Sequence, residues 1–281
     1  MMSSALFSIL RETSERSEGI LSPAFLLFGV GLAVGSFFNA VAFRFPSYRN
    51  IVNGRSFCFS CKHPLRWHDL IPLASFIALG GKCRYCKKKI SVQYPVVELA
   101  TGILFLTIFF SLQNSSLFDL FFWLLLGGLL MLIAVFDIRY KLIPTGLLLI
   151  SVAIGLFYTG LPFGLAKLFG IFLQTSQANQ TIQTLFLAAL MNAAFILFLV
   201  VTTKERGMGM GDVPIAFLQG LLLGYPKGLI ALFLSFIIGS IIGIALIISK
   251  KAGLKSEVPF APFLILALFI IKFFNVPFLT S

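Results

Sequence analysis

Asp137 and Asp212 stand where long apolar runs meet water. The first lies in Phe136-Asp137-Ile138-Arg139-Tyr140-Lys141-Leu142-Ile143-Pro144 and the second closes Gly207-Met208-Gly209-Met210-Gly211-Asp212. A carboxylate at the edge of hydrocarbon is unfavourable to keep and is usually retained for a task. Two that face each other cannot both ionise cheaply. One proton is then shared, so the ionised partner takes a proton from water while the protonated one polarises a scissile carbonyl. Taken singly, each has a plainer reading. Asp137 suits a tight solvated turn before Ile143-Pro144, paired with Arg139 or capping the next helix, and Asp212 suits the N-cap of a helix after a flexible loop. Taken together, two loops on one face each set an Asp at the start of a helix. The alternate glycines of the second permit unusual backbone and close approach by an extended peptide.

Four cysteines carry the remaining chemistry. All lie in one basic loop, as Cys58-Phe59-Ser60-Cys61 and Cys83-Arg84-Tyr85-Cys86, with 21 residues between the pairs. Paired Cys-x-x-Cys knuckles suit a tetrahedral four-cysteine zinc site, here one residue beyond the usual spacing. An ion held by four thiolates has no open position for water, so the expected role is structural. Redox thiols and unligated cysteines are the other readings, and His63 and His68 read as bystanders. A cytoplasmic loop argues against disulfides, and residues 44–93, poor in apolar side chains, need such a staple to fold.

Rival constellations are scarce. Both histidines fall in the cysteine loop, which disfavours a Ser-His-Asp triad among the apolar runs, and there is no His-Glu-x-x-His. Glu98 sits early in the second run, and Asp119 opens the third, where it reads as a solvated helix start. Asn39 and Asn192 fall inside apolar runs and read as interhelical hydrogen-bond donors. Gly31-x-x-x-Gly35 reads as a helix-packing face.

The elements that must position these groups span a membrane. The 281 residues are 58% hydrophobic and 11% charged, against about 25% charged in soluble domains. Apolar runs fall at roughly 21–43, 94–111, 119–136, 143–163, 183–203, 212–224, 228–249 and 258–278, most near the 20 residues a bilayer requires. The fold class expected is an all-α polytopic membrane protein of about eight transmembrane helices, with a small cytoplasmic zinc-binding loop domain between helices 1 and 2. The run after Asp212 is short, about 20 Å of helix against a hydrocarbon core of about 30 Å. The glycine-rich turn is therefore expected to dip into the membrane with Asp212 slightly submerged, as irregular backbone does when protein or a wet cavity surrounds it. The stretch 164–182 reads as partly interfacial.

Net charge is +12, and its placement reports topology rather than nucleic acid, since no aromatic–basic reading surface accompanies it. Residues 44–93 hold Arg44, Arg49, Arg55, Lys62, Arg66, Lys82, Arg84, Lys87, Lys88 and Lys89 against one acid, Asp69. With this loop cytoplasmic, Arg139, Lys141, Lys204, Arg206, Lys250, Lys251 and Lys255 fall on the same side, giving 17 of 22 basic residues. The other face keeps Arg11, Arg16, Lys167 and Lys227, and Lys272 lies within the last run. Both aspartates are thereby expected at the cytoplasmic face of the membrane and both termini outside. The mixed-charge stretch Arg11 to Glu18 does not fit a cleaved secretory signal. The domain division expected is a non-cytoplasmic segment 1–20, a first transmembrane helix 21–43, a four-cysteine zinc-ribbon-like domain 44–93 and a transmembrane peptidase domain 94–281.

In this order and spacing the motifs resemble those of the bacterial type IV prepilin peptidases, bifunctional leader peptidases and N-methyltransferases of the aspartic class. Gly35-Ser36-Phe37-Phe38-Asn39 leading to Arg44-Phe45-Pro46 is similar to the family's opening segment. The paired cysteines follow, then Trp67-His68-Asp69-Leu70-Ile71-Pro72, Gly81-Lys82-Cys83-Arg84 and Tyr94-Pro95-Val96-Val97-Glu98-Leu99, with Asp137…Ile143-Pro144 and Gly209-Met210-Gly211-Asp212 completing the set. The resemblance implies endoproteolysis of prepilin or pseudopilin leaders at the cytoplasmic membrane face, with Asp137 and Asp212 as the catalytic pair. It also implies methylation of the new α-amine from S-adenosylmethionine, mapped to the cysteine domain around Gly81 and Lys82. Presenilin-type intramembrane proteases share the Gly-x-Gly-Asp logic. The chain departs from the family pattern at Leu70 (commonly Asn), Thr145 (often Asp or Asn), Pro214 (often Lys) and Phe59 (frequently Pro). Two rival functions are a proton- or cation-coupled transporter using the same carboxylates and an assembly scaffold docking through the zinc loop. Both aspartates on one side disfavour the transporter, whose site belongs near the bilayer midplane.

Overall fold

A chain inside hydrocarbon must satisfy each backbone polar group within itself, which makes the apolar runs helical. The computed structural model describes residues 2–45, 56–169, 182–205, 207–250 and 258–274, with side chains described there except for 2–22 and 161–169. Pro46, Arg49, Arg55, Arg206, Lys251, Lys255, residues 275–278 of the last run and most of the stretch read as interfacial lie outside the described residues, as do the side chains of the N-terminal segment.

Among the described residues the elements are helical: α1 (Met2–Arg44), α2 (Ala74–Ala78), α3 (Gln93–Ser111), α4 (Leu117–Tyr140), α5 (Thr145–Phe169), α6 (Ile182–Thr203), α7 (Asp212–Leu223), α8 (Lys227–Ile248) and α9 (Ala261–Phe273). Five are long and apolar enough to cross a membrane: α3, α4, α6, α8 and Pro23–Arg44 of α1. Three are shorter apolar helices: α7, α9 and Thr145–Gly160 of α5. These eight correspond to the eight runs read from the sequence. Helix α1 runs without a break from Met2 to Arg44, with Pro23 inside it.

The main departure is at the end of α4. The sequence places Asp137 in a turn after the span, whereas the helix continues through Tyr140 and keeps Asp137 in its last turn. Ile138-Arg139-Tyr140 contains no helix breaker, so loss of hydrophobicity does not end the helix there. Lys141 ends it in the left-handed region, φ 52°, its N–H donating to the Asp137 carbonyl at 2.8 Å.

Two compact units divide the chain, Met1–Gln113 and Asn114–Ser281. In the first, α1 and α3 run antiparallel with every fourth residue of one meeting every fourth of the other. A Cβ on Gly31 would stand 2.8 Å from Gly102 Cα, and one on Gly35 would stand 2.8 Å from Glu98 Cα. Asn39 Nδ2 donates to the Tyr94 carbonyl at 3.1 Å. The small-residue face and the interhelical Asn39 bond are both as the sequence suggested. Helix α3, assigned by the sequence to the peptidase part, thus packs with α1 in the first unit.

In the second unit α6 and α7 approach most closely where Gly220 lies on the Ala188 backbone. A polar bridge crosses this core. Asn192 Nδ2 donates to the Gly228 carbonyl at 3.0 Å, and Gln219 Nε2 reaches the Leu264 carbonyl of α9 at 3.1 Å. Each fixes a helix face by satisfying a buried polar group.

The α1–α3 register predicts an asymmetric response. Gly35→Leu, with backbone in the way, should destabilise by about 1–3 kcal/mol through overpacking, seen as a lower melting temperature in detergent. Gly29→Leu, with open space at its Cβ position, should melt as wild type.

Candidate active site

Asp137 stands in the last turn of α4 and Asp212 is the first residue of α7. They are 6% and 4% exposed. They lie near enough for the Asp137 charge to act directly on Asp212. The connections agree: Ile143, just past α4, packs on Gly211, where an added Cβ would stand 2.8 Å from Ile143 Cδ1.

The hydrogen bonds to the pair differ. Asp212 closes its own turn: Gly209 N–H donates to Asp212 Oδ2 at 3.1 Å while Asp212 N–H donates to the Gly209 carbonyl at 3.0 Å. Its Oδ1 is buried with no partner among the described residues. Asp137 Oδ2 accepts from Ala261 N–H, the first residue of α9, at 3.2 Å. The sequence missed this contact because its donor is a backbone amide 124 positions away. The prolines Pro259 and Pro262 mark the helix start that supplies it.

The glycines work differently from the expectation. Gly207, Gly209 and Gly211 have no positive φ, a feature found among described glycines only at Gly80, Gly81 and Gly224. Gly211 is required by space, pressed against Ile143. Gly207 has nothing within 4 Å of its Cβ position, and Gly209 faces only the Gly211 nitrogen at 3.9 Å. Pro214 sits in the first turn of α7, where a missing N–H does no harm.

Asp119 is a correction. Read as a solvated helix start, it is 0% exposed. Tyr158 Oη–H donates to its Oδ1 at 2.6 Å, and the Ser116 hydroxyl donates to its Oδ2 at 3.0 Å. Glu98 is likewise buried, accepting Leu73 N–H at 2.9 Å.

In the first unit, Cys58, Cys61, Cys83 and Cys86 gather so that their Sγ atoms all lie within 4.8 Å of one another, a set that could hold a metal ion. Neither histidine belongs to it. The two knuckles repeat one backbone design. Cys58 N–H donates to the His63 carbonyl and Cys83 N–H to the Lys88 carbonyl, at 3.0 and 2.9 Å. Lys62 and Lys87, at φ 58° and 59°, return N–H bonds to the Cys58 and Cys83 carbonyls. Burial alone would raise the Cys58 thiol, but the Cys61 and Ser60 N–H groups outweigh it and bring it down to about 7. Asp69 ties the loop together, accepting from Arg84 Nε at 2.7 Å, Tyr85 Oη at 3.2 Å and Arg66 N–H at 3.2 Å. Burial opposes its charge, yet these donors hold its carboxyl below the usual range. Its stabilising effect is therefore complete above the ordinary carboxylate pKa of about 4 and fades only as pH falls through the depressed value.

A polytopic membrane protein with a buried carboxylate pair and a four-cysteine loop is the class these features define. Two family signatures match it. The Bacterial Peptidase A24 N-terminal domain matches residues 30–112, and the Type IV leader peptidase family matches residues 123–244. A prepilin leader peptidase/N-methyltransferase of Bacillus subtilis is 30% identical over 239 residues, covering 84% of this chain and 88% of the relative. One of Pseudomonas aeruginosa is 31% identical over 265 residues, covering 85% and 86%. A third, of Myxococcus xanthus, is 48% identical over 95 residues, covering 33% of this chain and 28% of the relative. No solved structure matches the chain. The chain belongs to the prepilin leader peptidase/N-methyltransferase family.

The pocket geometry separates its glycines. Gly211→Ala should force Ile143 outward and lower turnover about 10-fold or more, as misplacement near an ångström does. Gly207→Ala should leave turnover within about twofold. Cleavage kinetics of the two purified variants check this.

Proposed function

We propose that this protein cleaves the leader peptide from type IV prepilins or pseudopilins with Asp137 and Asp212, and then methylates the new N-terminal amine. What supports the cleavage reading best is that these two carboxylates are buried at the end of α4 and the start of α7, that Ile143 beyond one packs on Gly211 beside the other, and that the charge of Asp137 acts on Asp212. Two carboxyl groups sharing a pocket keep one proton between them. The asymmetry of their donors supports a division of labour. Asp137, facing the first amide of a helix, is the better placed anion and acts as base. Asp212, with one oxygen unpartnered, presents the O–H.

The ionised carboxylate takes a proton from water, whose oxygen bonds to the scissile carbonyl carbon. The carbonyl oxygen accepts the proton of the other carboxyl. Collapse then breaks the C–N bond: the amine leaves with the proton first taken from water, and one hydroxyl of the tetrahedral carbon returns its proton to the other carboxylate as the new carbonyl forms. The charge bias of the loops supports placing this pocket at the cytoplasmic face of the inner membrane. A pair at the ends of helices, rather than at their middle, offers a transporter no midplane site.

The four thiols fit zinc. At a Zn–S distance of about 2.3 Å a tetrahedral site sets sulfurs about 3.8 Å apart, and Cys58 Sγ and Cys86 Sγ are 3.9 Å apart. Zinc there would cross-link the two knuckles. For methyl transfer, S-adenosylmethionine would supply an electrophilic methyl group to the free amine. Of the two residues the family resemblance points to, Gly81 has its N–H on the Phe76 carbonyl and its carbonyl on Ile90 N–H, so it holds backbone shape at φ 68°. Lys82 is exposed and supplies a cation suited to the donor's carboxylate.

Asp137→Asn and Asp212→Asn, co-expressed with a prepilin from the same genome, should each leave the precursor uncut, a loss of about 10³-fold or more. Mass spectrometry of wild-type product should show a methylated N-terminus. Cleavage by either variant removes that residue from the mechanism, and an unmethylated product removes the second activity. Purified protein should contain one zinc per chain by elemental analysis, lost in Cys58→Ser. Metal-free protein that is folded and methylates would overturn the zinc assignment.

A further inference from the structure

Cleavage and methylation leave unused a buried charge cluster at the end of α4 far from Asp137. Asp119 lies there with Ser116 and Tyr158 on its two oxygens. One α4 turn further in, the fully buried Trp123 ring lies 4.9 Å below Lys272 Nζ and meets Phe273 edge-on at 5.2 Å. Lys272, in the last turn of α9, feels the charge of Asp119 and of Lys227 at the start of α8. Helix α9 has 13 residues, about 20 Å, too short for a hydrocarbon core of about 30 Å. The lysine in its last turn is half-buried among apolar helices and needs a partner. The indole face of Trp123 meets that need from α4.

Helix α9 is thus fastened to α4 at both ends, by Lys272 on Trp123 beside Asp119 and by Ala261 N–H on Asp137. The spans agree. Trp123 to Asp137 covers about 21 Å of α4, and Ala261 to Lys272 covers about 17 Å of α9, the lysine side chain making up the difference. Between the two ends, Gln219 of α7 holds the Leu264 carbonyl.

We propose that Lys272 is a positioning residue, its ammonium on the Trp123 face forming a remote lock that sets the axial register of α9 on α4 and so keeps Ala261 N–H on Asp137. This rests on the reading of Asp137 as one of the catalytic pair. A slip of one residue, about 1.5 Å, takes a donor now at 3.2 Å out of hydrogen-bond range. Asp137 Oδ2 then loses the donor that orients it, which affects turnover and leaves substrate binding alone.

The test uses the full chain in proteoliposomes with a prepilin substrate, measuring kcat, KM and melting temperature. Lys272→Met removes the charge but keeps the length in an apolar setting. It should melt at or above the wild-type temperature, lose about 10-fold or more in kcat and keep KM within about twofold. Lys272→Arg keeps a cation over the indole and should restore kcat to within about threefold. Lys272→Gln, which also removes the cation from the indole face, should fall in kcat like Lys272→Met, and it carries the test if Lys272→Met does not fold. Wild-type kcat in Lys272→Met, or a raised KM at unchanged kcat, overturns the lock. Asp137→Asn separates the two claims. If it is inactive while Lys272→Met is wild type, the lock alone fails; if it still cleaves, the catalytic pair fails and the route through Asp137 falls with it.

Discussion

Burying a carboxylate among apolar helices is tolerable only where donors that no helix uses can reach it, and this requirement organises the molecule. Each acid buried among the described residues meets it. Glu98 takes the amide of Leu73, Asp212 that of Gly209 and Asp137 that of Ala261, while Asp119 takes the hydroxyls of Ser116 and Tyr158. Turns and helix starts supply such groups because their first amides have no intrahelical partner. The irregular segments between spans are therefore as fixed in function as the helices. Leu73, at φ 58°, is the centre of a tight turn closed by Ala74 N–H on the Pro72 carbonyl, and its own amide goes to Glu98.

In the second unit this requirement converges on one pocket. The Gly209–Asp212 turn brings one acid, α4 brings the other, and α9 begins where its first amide can serve. Gly211 lets Ile143 close the gap between the two connections. Short helices are part of the arrangement, since α7 begins with Asp212 and α9 begins with the amide that Asp137 accepts. The first unit solves a separate problem. A basic loop with little apolar surface folds on two copies of one knuckle and on the donors around Asp69.

Much of this was legible in the sequence. Hydrophobic runs located all eight apolar helices, and Cys-x-x-Cys spacing located the sulfur cluster. Gly31, Gly35, Asn39 and Asn192 announced the helix contacts they make. What was not legible has a common cause: a side chain's partner depends on tertiary geometry. Asp137 and Asp119 both stand at the edge of an apolar run, and nothing local shows that one is held by α9 and the other by Tyr158. Lys272 could be placed only within the last run, because the ring it lies over, Trp123, is on α4. The glycines before Asp212 suggested unusual backbone, whereas the structure uses Gly211 for lack of room. The last turn of α4 was lost because hydropathy reports the membrane edge and not the helix end.

The central claim is that Asp137 and Asp212 face each other in one pocket. Cysteines placed at both positions, treated in native membranes with a short bifunctional thiol reagent and mapped by mass spectrometry, test it most directly. The account expects peptides containing residues 137 and 212 to be joined to each other. A reagent that joins either position only to the loop cysteines, or to neither, would contradict it.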